Sequence, residues 1–216
     1  MVDYPIPYRY VCVEGNIGTG KTTLCNRLAK RFHGKVILEQ FTDNPFLPYF
    51  YNDPERYAFP VEIFFMTERH KQLQKHILTR DLFAQHIFAD YFFTKTLLFA
   101  RNNLNDEEFR IFQQLFQLLE KPFPNPDILV YLHRSTSRLL NLIEIRGRHM
   151  ETPISESYLQ KIQDAYFDYF RSETGFPILI IDVEDMDFVK NQDHLEELIT
   201  LMSKRYNPGV HRVSIR

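Results

Sequence analysis

The 216-residue chain has no tryptophan and two cysteines, Cys12 and Cys25. Cys12 falls in an expected strand and Cys25 in the helix after it, without ligand spacing. That excludes a disulfide framework or a cysteine metal site, and two buried, reduced thiols of a cytoplasmic protein are expected. A charge excess of either sign is also missing: 26 Lys and Arg face 28 Asp and Glu, a formal net of −2. Such a balance gives no general field for a nucleic-acid polymer or an anionic membrane. No apolar run approaches the roughly 20 residues of a membrane span, and residues 1–9, rich in Pro and Tyr, lack the apolar centre of a signal peptide. Repeats and low-complexity stretches are absent too. A single domain over 1–216 follows, with 1–8 and 207–216 as peripheral tails; at this length about 70% of the unfolded surface can be buried without disulfide or metal support.

Glycine is scarce, seven in all, yet three of the seven fall in Gly15-Asn16-Ile17-Gly18-Thr19-Gly20-Lys21-Thr22. This is a complete phosphate-binding P-loop, preceded by the strand-like run Tyr10-Val11-Cys12-Val13. Its glycines let successive backbone N–H groups converge on a β-phosphate where a Cβ would obstruct the turn. Lys21 brings a charge for the β- and γ-phosphates and Thr22 a hydroxyl for Mg²⁺. From Thr23 and Leu24 onward runs a helix, with Leu24, Leu28 and Phe32 on one face and its positive end toward the anion. A nucleoside triphosphate is the expected ligand.

Further strand-like runs occur at 36–38, 86–89, 128–132 and 178–181, separated by helical patterns. That alternation predicts an α/β fold, a five-stranded parallel sheet with helices on both faces. Glu14, Glu39, Asp90 and Asp182 each follow a run at once. Ligands of open α/β sheets bind beyond the carboxyl ends of strands, so the first three are site candidates, while Asp182 reads as a cap or solvated loop residue. Glu39, facing the P-loop from a neighbouring strand, suits a general base for phosphoryl transfer to an alcohol. Arg146 and Arg148 flank the end of a helix that starts near Ser135. They are either a mobile lid closing over a triphosphate or simple C-terminal cations favoured by the helix dipole. Aromatic content is 15%, with 20 Phe; the helical patterns at 55–78 and 106–120 carry more apolar residues than one buried face needs, which predicts a homodimer interface.

Taken together, these features resemble the deoxynucleoside kinases, and within them the bacterial deoxyguanosine/deoxyadenosine kinase branch. Beyond the P-loop the resemblance rests on Glu39 with Asn44-Pro45-Phe46, on Tyr51 before Asp53-Pro54-Glu55-Arg56-Tyr57, on Asp90-Tyr91 with Leu98-Phe99-Ala100, and on the arginine loop. It ends with Ile181-Asp182-Val183-Glu184-Asp185-Met186-Asp187-Phe188. The resemblance implies a P-loop kinase with a lid, Glu39 as base toward a sugar 5′-hydroxyl, Tyr51 and Glu151 on the 3′-hydroxyl, and Arg146 and Arg148 on ATP. It also implies that Asp187 and Phe188 border the ATP base.

Glu62 stands where the family usually has a Gln that reads the base edge, with Arg69 at the matching distance. An ionised Glu only accepts hydrogen bonds, so it suits the paired donors of guanine, whose O6 and N7 Arg69 or Lys95 could meet. The alternative is an ion pair of Glu62 with Arg69 or Lys95 in the cleft wall. Two departures stand out. Ala89-Asp90-Tyr91 lacks the arginine usual after the third strand, leaving Asp90 to serve the metal through water. Leu142 replaces a lid-helix arginine, for which Arg138 or Arg134 could compensate. The expected activity is Mg²⁺-dependent transfer of the ATP γ-phosphate to a purine deoxynucleoside in nucleotide salvage. The rivals are a thymidylate-type nucleoside monophosphate kinase and a non-catalytic nucleotide-binding regulator.

Overall fold

The computed structural model describes residues 5–40, 43–78 and 85–214. The outer ends of both expected tails, 1–4 and 215–216, and Phe41 and Thr42 after Glu39 lie outside the described residues. In chain order the first half contains β1 (Tyr10–Gly15), α1 (Lys21–Phe32), β2 (Lys35–Ile37), α2 (Leu47–Phe50), α3 (Pro54–Leu73), β3 (Ile87–Ala89), α4 (Lys95–Asn103) and α5 (Asp106–Glu120). The second half adds β4 (Ile128–His133), α6 (Thr136–Arg146), α7 (Glu156–Ser172), β5 (Pro177–Asp182), α8 (Gln192–Met202) and β6 (Gly209–Ser214).

All strand pairs are parallel, in the order β2-β3-β1-β4-β5-β6. The sheet therefore has six strands, not the five read from the apolar runs. The sixth comes from the segment read as a tail: β6 lies at the edge and pairs residue for residue with β5, from Gly209 beside Pro177 to Ser214 beside Asp182. An edge strand needs only its backbone ladder, and Gly-Val-His-Arg-Val-Ser offers no continuous apolar run to betray it. At the other end, Ile6 and Tyr8 are buried, and the Tyr8 hydroxyl donates to Lys204 O at 3.0 Å.

Side chains alternate across the central strands, as a pleated strand buried on both faces requires. Tyr10 and Cys12 of β1, Leu129 and Tyr131 of β4, and Ile178 and Ile180 of β5 share one core with Val61 and Met66 of α3, Phe112 and Phe116 of α5, and Ile162 and Tyr166 of α7. Val11, Val13, Val130, Leu179 and Ile181 face the opposite core, where Leu24 and Leu28 of α1 and Leu195 and Leu198 of α8 cover them. The thiols of Cys12 and Cys25 are fully enclosed, and burial pushes both well up, so neither offers a thiolate.

Helix ends near the ligand edge are set by specific caps. Asn105 and Glu108 form a reciprocal capping box at the start of α5. Ser135 caps α6, and Gly147, at φ 69°, ends it in the left-handed conformation that costs a residue without Cβ least. That stop turns the chain so that Arg146 and Arg148 flank one corner.

Candidate active site

The carboxyl ends of β2, β3 and β1 lie side by side, Ile37 next to Ala89 and Ala89 next to Cys12. One cleft opens beyond them. It is lined by Ile17, Gly18, Lys21 and Thr22 of the P-loop, by Glu39 and Asp90 from the strand ends, and by Tyr51, Glu62, Arg69, Lys95, Arg146, Arg148 and Glu151. Residues spread over 135 positions of sequence thus meet in one place.

The rest of the P-loop is frame. Gly15, at φ 150°, passes so close to β4 that a Cβ would meet Leu132 O at 2.7 Å. Asn16 is buried, its amide donating to Leu159 O at 2.7 Å while its Oδ1 accepts from Ile17 N, which ties the loop to α7. Thr19 turns its hydroxyl back to Asn16 O at 2.9 Å. Thr23 is half-buried in the first turn of α1. Gly20 lies on the ring of Phe188, 2.9 Å from where a Cβ would sit. Phe188, expected beside the ATP base, is only 1% exposed and packs under the loop, with the Arg134 guanidinium over its ring. Its place is support rather than cleft wall. Asp187 accepts from the backbone N–H groups of Val189 and Lys190 and also lies outside the cleft lining.

Lys21 directs its Nζ at Gly15 O and Asn16 O, both at 2.9 Å. Burial and then the nearby Lys95 ammonium draw it down to about 8, against the opposing pull of Glu14, Glu39 and Asp90. Thr22 donates its hydroxyl to Asp90 Oδ2 at 2.5 Å, and the other Asp90 oxygen accepts from Glu39 N at 2.8 Å. Burial, followed by the Glu39 carboxylate, raises Asp90. A hydroxyl touching a carboxylate is a hard-oxygen pair that fits Mg²⁺ when phosphate and water complete the shell. Among the described residues, no group of three or more His, Cys, Asp or Glu could hold a metal by itself.

Glu39 is held on both oxygens. Oε1 accepts from Arg69 Nε at 2.8 Å and from Arg69 Nη2, and Oε2 accepts from Lys95 Nζ at 2.8 Å. Burial opposes ionisation here, but Arg69 and then Lys95 outweigh it and keep the carboxyl well below the usual range. Arg69 gives its remaining arm, Nη1, to Thr96. Both cations expected to pair with Glu62 or to meet the base are therefore engaged by Glu39. Glu62, 2% exposed, instead accepts from Asn103 Nδ2 at 2.6 Å through Oε1, and its Oε2 is buried without a partner. Burial pushes this carboxyl up to about 7, with Arg69 and Asn103 opposing only in part. Burial thus works against the ionised form of Glu62 on which the guanine reading rests.

At the mouth, Glu151 receives Arg146 Nη2 and, at 3.3 Å, Arg148 Nη1. Tyr51 ends α2 with its ring edge-on to Tyr158 at 6.0 Å. Arg134 gives Nη1 and Nη2 to Glu184 O and Met186 O, so it holds that loop and does not replace a lid arginine; Arg138 is exposed on α6. Glu14 is wholly buried, binding Phe92 N and the Tyr166 hydroxyl, and is a fastening between elements. Asp182 accepts from Glu184 N at 3.0 Å, the local turn expected of it.

The family described as deoxynucleoside kinase matches residues 11–206. The chain belongs to the deoxynucleoside kinases. It is 32% identical to a deoxyguanosine kinase of Bacillus subtilis (strain 168) over 196 residues, covering 88% of this chain and 93% of the relative. A deoxyadenosine/deoxycytidine kinase of the same organism is 31% identical over 204 residues, covering 92% and 94%. Among solved structures, a deoxyadenosine kinase from M. mycoides with bound dATP superposes with a TM-score of 0.75, at 21% identity, covering 90% of this chain and 98% of that one. This last likeness shows the P-loop kinase fold. Several residues in or behind the kinase cleft carried no signal in the sequence: Asn103, the partner of Glu62; Thr96, the partner of Arg69; and Phe65 and Tyr158 among the lining. They read as ordinary apolar or helix-end positions until the fold brings them together.

Proposed function

We propose that the enzyme transfers the γ-phosphate of ATP, with Mg²⁺, to the 5′-hydroxyl of a deoxynucleoside, with purines preferred. The observation that carries this is Glu39: an ionised carboxylate held in the same cleft as Lys21 and Thr22, where an acceptor hydroxyl would meet it. Lys21 neutralises charge on the transferring phosphoryl, Thr22 and Asp90 would hold the metal, and the P-loop N–H groups take the β-phosphate. Mg²⁺ when bound offsets charge on the β- and γ-phosphates. Arg146 and Arg148 would leave Glu151 for the triphosphate as the lid closes, freeing Glu151 to join Tyr51 at the sugar. The named relatives phosphorylate deoxyguanosine or deoxyadenosine and deoxycytidine, which supports a purine acceptor. A monophosphate kinase would need free cations at the acceptor end. Arg69 and Lys95 there are both bound to Glu39.

The same reading makes the chain one domain and a homodimer, with small-molecule partners only. On α5, Ile111, Leu115 and Leu118 are 51%, 40% and 66% exposed. Their spacing places them on one stripe, suited to a two-fold helix contact. Glu39→Gln tests the chemistry. It is expected to lower turnover by about 10²–10⁴ while ATP affinity changes little; lost ATP binding with unchanged turnover would contradict the role.

A further inference from the structure

Glu62 is an unusual group to find in a nucleoside cleft. It is buried, lines the cleft with Phe65 and Phe99, and has one oxygen occupied by Asn103 and the other unpaired. An unpaired buried carboxylate oxygen is costly, so a ligand or a proton must satisfy it. Resting on the kinase reading above, we infer that Glu62 selects the base through its own protonation state. As a neutral acid its Oε2 donates while Oε1 accepts, which fits the adjacent N6–H and N1 of adenine. As a carboxylate it only accepts, which fits the paired N1–H and N2–H₂ donors of guanine.

The surroundings permit both forms. Facing Glu62 are Arg69 one helical face along α3, Lys95 and Asn103 from α4, Glu39 from the end of β2, Tyr51 from α2 and Tyr158 from α7. The two cations that would fix it as an anion are bound to Glu39, whose own negative charge works against a second one. Across the cleft, Glu151 is matched by Arg146 and Arg148 and adds little. Burial is the largest influence and brings Glu62 to about 7, so both forms coexist near neutrality.

The test is the ratio of kcat/KM for deoxyguanosine over deoxyadenosine, measured in competition at about pH 6 and about pH 8, one step either side of that value. Over this range the ionised fraction goes from about one-tenth to about nine-tenths. Effects on ATP, Lys21 or Glu39 act on both nucleosides and cancel in the ratio. The ratio is expected to rise with pH by roughly tenfold or more, the cost of one mismatched buried hydrogen bond. Glu62→Gln, with one donor and one acceptor at any pH, is expected to hold the ratio flat and shifted toward deoxyadenosine. A wild-type ratio constant within about twofold, with both nucleosides turned over, overturns the inference and leaves the kinase reading standing. A Glu62→Gln ratio that still climbs as in the wild type places the titration elsewhere and also overturns it. Failure of both nucleosides to react at either pH overturns reading and inference together.

Discussion

At the scale of single residues, the cleft holds two glutamates driven in opposite directions. Glu39 has two cations that favour its ionised form; Glu62 has an amide and a bare oxygen, and burial pushes it up to about 7. Their contributions to stability differ in sign. Glu39 lies below its ordinary value, so its pairing stabilises the fold above the usual carboxylate range and is lost in acid. Glu62 lies above 4.5, so between about 4.5 and about 7 it binds more protons folded than unfolded, and stability falls as pH rises. Glu62→Gln removes that loss: relative to wild type, the variant is expected to gain on the order of 1–3 kcal/mol between about pH 5 and about pH 8 in denaturant melts. An equal offset at both pH values would mean Glu62 is ionised throughout. Lys21→Ala removes the charge on the phosphoryl group and should damage both ATP affinity and turnover; a variant with normal rates would move the donor site away from the P-loop. The identity of Glu39, Asp90 and Lys21 as cleft residues could be read from strand ends and loop pattern alone. Glu39's partners could not, because Arg69 and Lys95 lie 30 and 56 residues away and only folding joins them.

Among elements, the β1–loop–α1 unit was legible because scarce glycines, a strand-like run and a helical stripe agree over a short stretch. Helix α5 was legible from its long helical pattern of apolar residues over 106–120. Strand β6 was not, since its burial alternates half-in and exposed along a sheet edge and its stability comes from backbone pairing with β5. The supporting contact of Phe188 was hidden for a related reason: only folding brings its ring against Gly20 and into the core. The capping box of α5 gives an element-level test. Asn105→Ala is expected to cost about 0.5–2 kcal/mol in denaturant melts by freeing the Glu108 N–H; no change in stability would show that α5 is fixed by packing alone.

For the molecule as a whole, the exposed stripe of Ile111, Leu115 and Leu118 on α5 demands cover. Sedimentation at micromolar concentration should give the mass of a dimer, and Leu118→Glu should shift it toward the monomer. A monomeric wild type would leave that stripe unexplained. Product analysis of the purified protein decides whether this cleft phosphorylates the 5′-hydroxyl of deoxynucleosides. The assay supplies ATP and Mg²⁺ with each of the four deoxynucleosides and, separately, their 5′-monophosphates. Formation of 5′-monophosphates from deoxynucleosides, fastest from the purines, is the predicted result; diphosphates made from the monophosphates, with the nucleosides left untouched, would contradict it.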